Sequence, residues 1–195
     1  MEPTKKALQS QEALLVEIVA AEGKMVFRVS GAVARKMSVW ERALDEKIYT
    51  AQVETGAYGR LTVPQHRIAS MKKMAKNCGR KRPYYGAIGG ACSYEFRVTA
   101  SGAAVKIVND ATRDFLEIEG ESSAIHCDEQ SALQKIRELT SEEVLKVTAW
   151  KNTEEARGSD TDYIYRFGLT SLGLTSKVLN GKTKASIDLT DYESW

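Results

Sequence analysis

The chain has 195 residues, of which 43% are hydrophobic and 28% charged, a balance that excludes wholesale disorder and allows a sizeable core. Net charge is only +2, yet residues 1–90 hold 16 Lys and Arg against 8 Asp and Glu, while residues 91–195 hold 12 against 18. No apolar run reads as a membrane helix or a secretory signal, and Cys78, Cys92 and Cys127 lack paired spacing, so a cytoplasmic protein with reduced thiols is expected.

Residues 8–21 read as a helix, with Leu8, Leu15 and Val19 on one side, Leu14 and Ile18 beside them, and Gly23 as its stop. Residues 24–30 read as a strand. Ser38 and Glu41 have capping-box spacing, and the helix they would open puts Trp40, Leu44 and Ile48 on a core stripe. A weak hairpin is expected about Gly56 and Gly59, with Gln52, Val53, Arg60 and Leu61 in its arms. Residues 62–77 form another helix stopped by Gly79, its apolar side made by Ile68, Met71, Met74 and Ala75. At about 100° per residue, Lys72, Lys73 and Lys76 fall together on the opposite side.

The next stretch occurs twice. YEFRVTASGAAVKIVNDATRDFLEI, residues 94–118, corresponds without gaps to YRFGLTSLGLTSKVLNGKTKASIDL, residues 165–189. At a constant offset of 71, Tyr94 meets Tyr165, Phe96 meets Phe167, Gly102 meets Gly173, and Asn109 meets Asn180. Such self-similarity indicates one supersecondary unit used twice. Each copy has three short apolar or alternating runs, the period of a β-meander, and Asn180-Gly181 suggests a two-residue hairpin. Between the copies, Asp128 would cap a helix bearing Leu133, Ile136 and Leu139. Thr140 and Glu143 would cap its continuation through Val144, Leu145 and Val147, although residues 147–150 also read as a strand. Residues 151–162 are a polar linker. The acidic end, residues 188–195, reads as a last strand plus a tail anchored by Tyr192 and Trp195, or as a docking peptide.

The expected fold is therefore α+β: two repeated helix-plus-three-stranded-meander units on antiparallel sheet, at 62–127 and 128–195. An N-terminal helix–strand–helix elaboration covers 1–61.

The chemistry is concentrated in residues 55–94, which contain no Asp or Glu. There Arg60, Arg67, Lys72, Lys73, Lys76, Arg80, Lys81 and Arg82 lead into Tyr84, Tyr85 and a glycine run. Cations neutralise phosphates, tyrosines stack on unpaired bases, and glycines let backbone amides approach an anion. The GXXG string at 86–89 lacks the helix that a KH module places directly after it, and no phosphate-loop or dinucleotide fingerprint occurs. Catalytic supply is thin. His66 and His126 are the two imidazoles, and His126 and Cys127, adjacent on a strand, would face opposite ways. Cys92 could meet either His only through the fold. Metal spacing is absent, and Asp160, Asp162 and Asp191 read as solvated acids rather than cation ligands. No catalytic residue, metal or cofactor is expected.

The reading that follows is a non-enzymatic binding protein for DNA, RNA or another polyanion. Arg67, Lys72, Lys73, Lys76, Arg80, Lys81 and Arg82 would contact phosphate, and Tyr84 and Tyr85 would stack. The alternative is a protein-interaction module of the inhibitor, immunity or assembly kind. Its basic face would meet an acidic protein, or the acidic half of a neighbouring copy in an oligomer.

Overall fold

The computed structural model describes residues 14–86, 92–100, 102–120, 133–170 and 172–194, and its mixture of helices with antiparallel sheets is an α+β fold. The chain enters as a hairpin, β1 (Val16–Ala21) and β2 (Lys24–Val29), in register from Val16↔Val29 to Ala21↔Lys24. The helix expected up to Ala21 is thus a strand from Val16 onward; its part at 8–13 lies outside the described residues. The deciding local feature is the pair Glu22 and Gly23, with φ of 51° and 74°. Two successive left-handed residues make the tight turn whose twist matches a hairpin, and Gly23 adopts it without a Cβ penalty.

The first helix, α1 (Gly31–Thr55), starts one residue after β2, not at Ser38. Ser30 is its cap: the Oγ accepts from Val33 N at 3.4 Å and from Leu15 N at 3.2 Å, so one side chain ends the hairpin and begins the helix. Ser38 lies inside the helix. Of the expected stripe, Leu44 and Ile48 are buried and Trp40 is half-buried at its edge; Met37 and Val33, one and two turns earlier, extend it. Gly56 caps the C-terminus, so Gln52 and Val53 are helical. A minimal hairpin follows, β3 (Ala57–Tyr58) with β4 (Leu61–Thr62), and leads into α2 (Gln65–Cys78).

The first meander is β5 (Cys92–Thr99), β6 (Gly102–Asn109) and β7 (Phe115–Glu119). After it comes β8 (Gln134–Leu139), where a helix was expected; Asp128 lies outside the described residues. The helical spacing of Leu133, Ile136 and Leu139 is overridden by a long-range ladder, Met25↔Leu139 to Val29↔Gln134, in which β8 becomes the third strand beside β2. Then α3 (Ser141–Lys151) carries the anticipated capping box: Glu143 N donates to Thr140 Oγ1 at 3.2 Å and Thr140 N to Glu143 Oε2 at 2.7 Å. Residues 147–150 are helical, so the strand alternative does not form. The second meander is β9 (Tyr163–Leu169), β10 (Leu174–Asn180) and β11 (Ser186–Asp188).

The two meanders lie in one six-stranded sheet, ordered β11-β10-β9-β5-β6-β7, joined by antiparallel β5 and β9. At the seam Glu95 is the register partner of Arg166, flanked by Tyr94↔Phe167 and Phe96↔Tyr165. The turns leaving β6 and β10 share one construction. Asn109 Oδ1 accepts from Ala111 N and Thr112 N; Asn180 Oδ1 accepts from Lys182 N and Thr183 N. Arg113 and Lys184 then adopt φ of 68° and 66°. Asn180-Gly181 consequently opens a longer turn than the two-residue hairpin its dipeptide suggested.

The core lies between this sheet and the β1-β2-β8 sheet, with α1 and α3 contributing. Phe27, fully buried, contacts three rings from the large sheet: Phe96 at 5.2 Å, Tyr165 at 5.1 Å and Phe167 at 4.8 Å. Residues 151–162 are no free linker. Ala156 is fully buried, and its carbonyl accepts from Tyr163 Oη at 3.1 Å and Asn180 Nδ2 at 2.8 Å. The sheet's other face is charged. One row crosses all six strands as Asp188, Lys177, Arg166, Glu95, Lys106 and Glu117.

Candidate polyanion-binding face

The cations picked out in the sequence lie on α2 and on the segment that follows it, residues 79–86. The β3–β4 hairpin sets the entry to α2: Val63 is buried and its N–H donates to Gly56 O at 2.8 Å. Pro64 then starts the helix and Gly79 ends it, its N–H donating to Ala75 O at 3.0 Å. Of the fourteen residues of α2, only Ile68 is buried. Arg67, Lys72, Lys73 and Lys76 are exposed and form no ion pair among the described residues. Met74, counted on the apolar side from sequence, is 46% exposed. An α-helix of this length normally buries a whole stripe. This one fully buries Ile68 alone, with Met71 and Ala75 half-buried on the same side, and leaves the rest of its surface exposed.

Residues 79–86 return along α1 as a strap. Gln52, fully buried in the last turn of α1, pairs with the strap as a strand neighbour would: Tyr84 N donates to its Oε1 at 2.8 Å and its Nε2 donates to Tyr84 O at 2.9 Å. The Tyr85 hydroxyl donates to Asp45 and accepts from Asn109 Nδ2 at 3.3 Å, which links strap, helix and sheet. Burial, then the Asp45 carboxylate, drives the Tyr85 phenol far above its ordinary pKa. Lys81 pairs with Glu46, which raises the lysine and lowers the carboxyl. Arg80 and Arg82 are exposed and, with Arg42, Asp45 and Glu46, line a cleft of about 370 Å³ between strap and helix.

The nine residues named from sequence therefore divide. Arg67, Lys72, Lys73, Lys76, Arg80 and Arg82 present charge to solvent. Lys81 is neutralised by α1, Tyr85 is engaged through its hydroxyl, and half-buried Tyr84 is held by its backbone. Sequence reasoning passed over the acceptors, Asp45, Glu46 and Gln52, which are ordinary helix-surface types without a motif.

Beside the strap lies a half-buried acidic cluster. Tyr94 Oη donates to Glu41 Oε1 at 3.2 Å, and burial raises the Glu41 carboxyl despite that bond. Cys92 is pushed up to about 12 by burial and then by Glu41, Asp45 and Asp110, so its thiol stays protonated and is a poor nucleophile. His66 is exposed on α2; His126 and Cys127 lie outside the described residues. Among the described residues no three His, Cys, Asp or Glu side chains are grouped to hold a metal, and no helix is long and apolar enough to cross a membrane.

Comparison with protein families, curated proteins and solved structures finds no match to this chain.

Proposed function

We propose that the protein is a non-enzymatic binder of nucleic acid or another polyanion, acting through α2 and the exposed arginines of the strap. The observation that carries this reading is α2 itself: fourteen residues, one buried, no acid, and four cations with no ion pair among the described residues. The helix is seated through its ends and through Ile68, Met71 and Ala75, and its lysine face is exposed to a partner. Arg67, Lys72, Lys73, Lys76, Arg80 and Arg82 contact phosphate in this reading. Recognition follows the backbone rather than the bases, because the strap tyrosines serve the fold.

The scaffold is proposed to be a duplicated meander. Residues 71 apart occupy equivalent strands and turns, and Glu95 and Arg166, equivalent by that offset, are each other's partners at the seam. That is the arrangement a local twofold axis would produce.

The test is fluorescence anisotropy with short single- and double-stranded DNA and RNA over a salt series, beside the Lys72→Ala/Lys73→Ala/Lys76→Ala variant. Each phosphate contact contributes roughly 0.7–0.9 to the slope of log affinity against log salt. The variant is expected to bind more weakly with a shallower slope across all sequences. Equal slopes for the two proteins would sink the reading. Exposed Met74 among the lysines favours the second reading, an acidic protein partner, which pull-down and light scattering would reveal if no nucleic acid binds.

A further inference from the structure

A cavity of about 670 Å³, open to solvent, lies not on α2 but on the charged face of the six-stranded sheet. Its floor crosses three adjacent strands at small residues. Ser93, Gly168 and Thr175 are register partners in one row. A Cβ at Gly168 would stand 2.7 Å from Thr175 Oγ1, so a larger residue there would have to displace that hydroxyl. Larger groups surround this dish: Tyr85 at the end of the strap, Leu169, Tyr192, and the next row of Arg166 and Lys177.

The hydrogen bonds and ion pairs bear on the charge the cavity accepts. Both carboxylates in the wall already accept hydrogen bonds. Asp110 Oδ1 accepts from the Arg166 guanidinium and from Ser93 Oγ, the latter at 3.1 Å. Asp188 accepts from Thr190 N at 2.9 Å and from Tyr192 Oη at 3.0 Å. The Lys177 ammonium, in contrast, has no ion-pair partner within 4.0 Å among the described residues. Lysine donates three hydrogen bonds and accepts none, so the unspent capacity is for an anion. Apolar surface in the wall comes from Leu169, 65% exposed, and Tyr192, 59%, beside the hydroxyl-bearing Thr170, Thr175 and Thr190. Solvent-facing aliphatic and aromatic surface around a few fixed polar groups is the composition of small-molecule sites, and the volume falls in their usual range of about 300–1,000 Å³.

We propose that this cavity binds a small organic anion carrying a planar ring. The anionic head sits on Lys177, with Arg166 beside it, and the ring lies against Leu169 and Tyr192. Asp188 stands next to Lys177 on the neighbouring strand and dilutes its charge, so a bare inorganic anion gains little and the ring supplies much of the affinity. The site stands apart from the α2 reading, because it shares no cation with that face.

Isothermal titration of the full chain tests it with five probes: uridine 5′-monophosphate, indole-3-acetate, inorganic phosphate, and the uncharged and cationic counterparts uridine and tryptamine. The two ring-bearing anions are expected to bind, phosphate roughly tenfold or more weakly, and uridine and tryptamine not measurably. Lys177→Gln, a partly exposed position, is expected to lose roughly tenfold for both ring anions, whereas Lys177→Arg retains them. Tyr192→Ala weakens the ring anions but leaves phosphate unchanged. Matching urea midpoints for the variants and wild type show that the fold is intact. No heat with either ring anion overturns the proposal, as does tryptamine binding as well as indole-3-acetate, or Lys177→Gln binding as wild type does. The α2 triple variant serves as the control that separates the sites: it should bind the ring anions normally even if it has lost all affinity for polyanions.

Discussion

Gln52 sits in the last turn of α1 without solvent contact, and its amide satisfies both backbone groups of Tyr84. Gln52→Ala would strip those partners from the strap at once. The expected cost is about 1–3 kcal/mol in urea unfolding, with faster amide exchange at Tyr84. An unchanged midpoint with unchanged exchange would mean the strap is held by something else. Glu41 gives a pH-dependent counterpart. Its carboxyl is raised by burial, so the folded state holds the proton more tightly than the unfolded chain does. The charged form is therefore a cost, full above the raised pKa and absent below the ordinary value of 4.5. Glu41→Gln still accepts from Tyr94 Oη, so the variant should be at least as stable as wild type at neutral pH. Its advantage should fade as the pH drops through the carboxyl range. An advantage that grows on acidification would contradict the assignment. Neither residue was legible in the sequence: a glutamine and a glutamate among helical polar residues carry no sign that one clamps a distant backbone and the other is desolvated. The cations were legible, because the chain between residues 55 and 94 lacks any acid to answer them.

Helix α2 and the hairpin β1–β2 show opposite balances of local and distant forces. In α2 the lysines touch little, so the Lys72→Ala/Lys73→Ala/Lys76→Ala variant should keep its thermal midpoint, within about 0.5 kcal/mol per site, while losing polyanion affinity. A collapse of stability would show that the lysine stems pack where they look exposed. In the hairpin, Gly23→Ala forces a Cβ into φ of 74° and brings it 3.4 Å from Ser141 Oγ. A loss of about 1 kcal/mol is expected, measured by urea denaturation. The meanders were readable because their alternation has period two and their turns use asparagine and glycine. The strands β1 and β8 were not. Leu15, Ile18 and Val19 fit a helical stripe as well as a strand, and the spacing of Leu133, Ile136 and Leu139 is helical. What decides both is β2, which offers a ladder on each side. For β8 that partner lies more than a hundred residues away, where no local pattern reports it.

At the scale of the molecule, Phe27 is where the two sheets meet, and removing its ring opens a cavity against Phe96, Tyr165 and Phe167 together. Phe27→Ala is expected to cost about 3–5 kcal/mol. Far-ultraviolet dichroism and tryptophan fluorescence should still report one coincident unfolding transition, because both sheets depend on the same contact. Two separated transitions would show that the small sheet melts by itself.

The seam between β5 and β9 carries one more implication. Its two strands present the same residue types at matching positions, Tyr94 and Phe96 on one side, Tyr165 and Phe167 on the other. Almost any strand of this sequence that can close the seam in one molecule can close it in another, since the edge a lone β5 exposes is the edge for which β9 is built. At high concentration or during refolding, therefore, the failure mode to expect is exchange of whole meanders between chains. It would give a dimer with native pairing throughout and a seam drawn from two polypeptides.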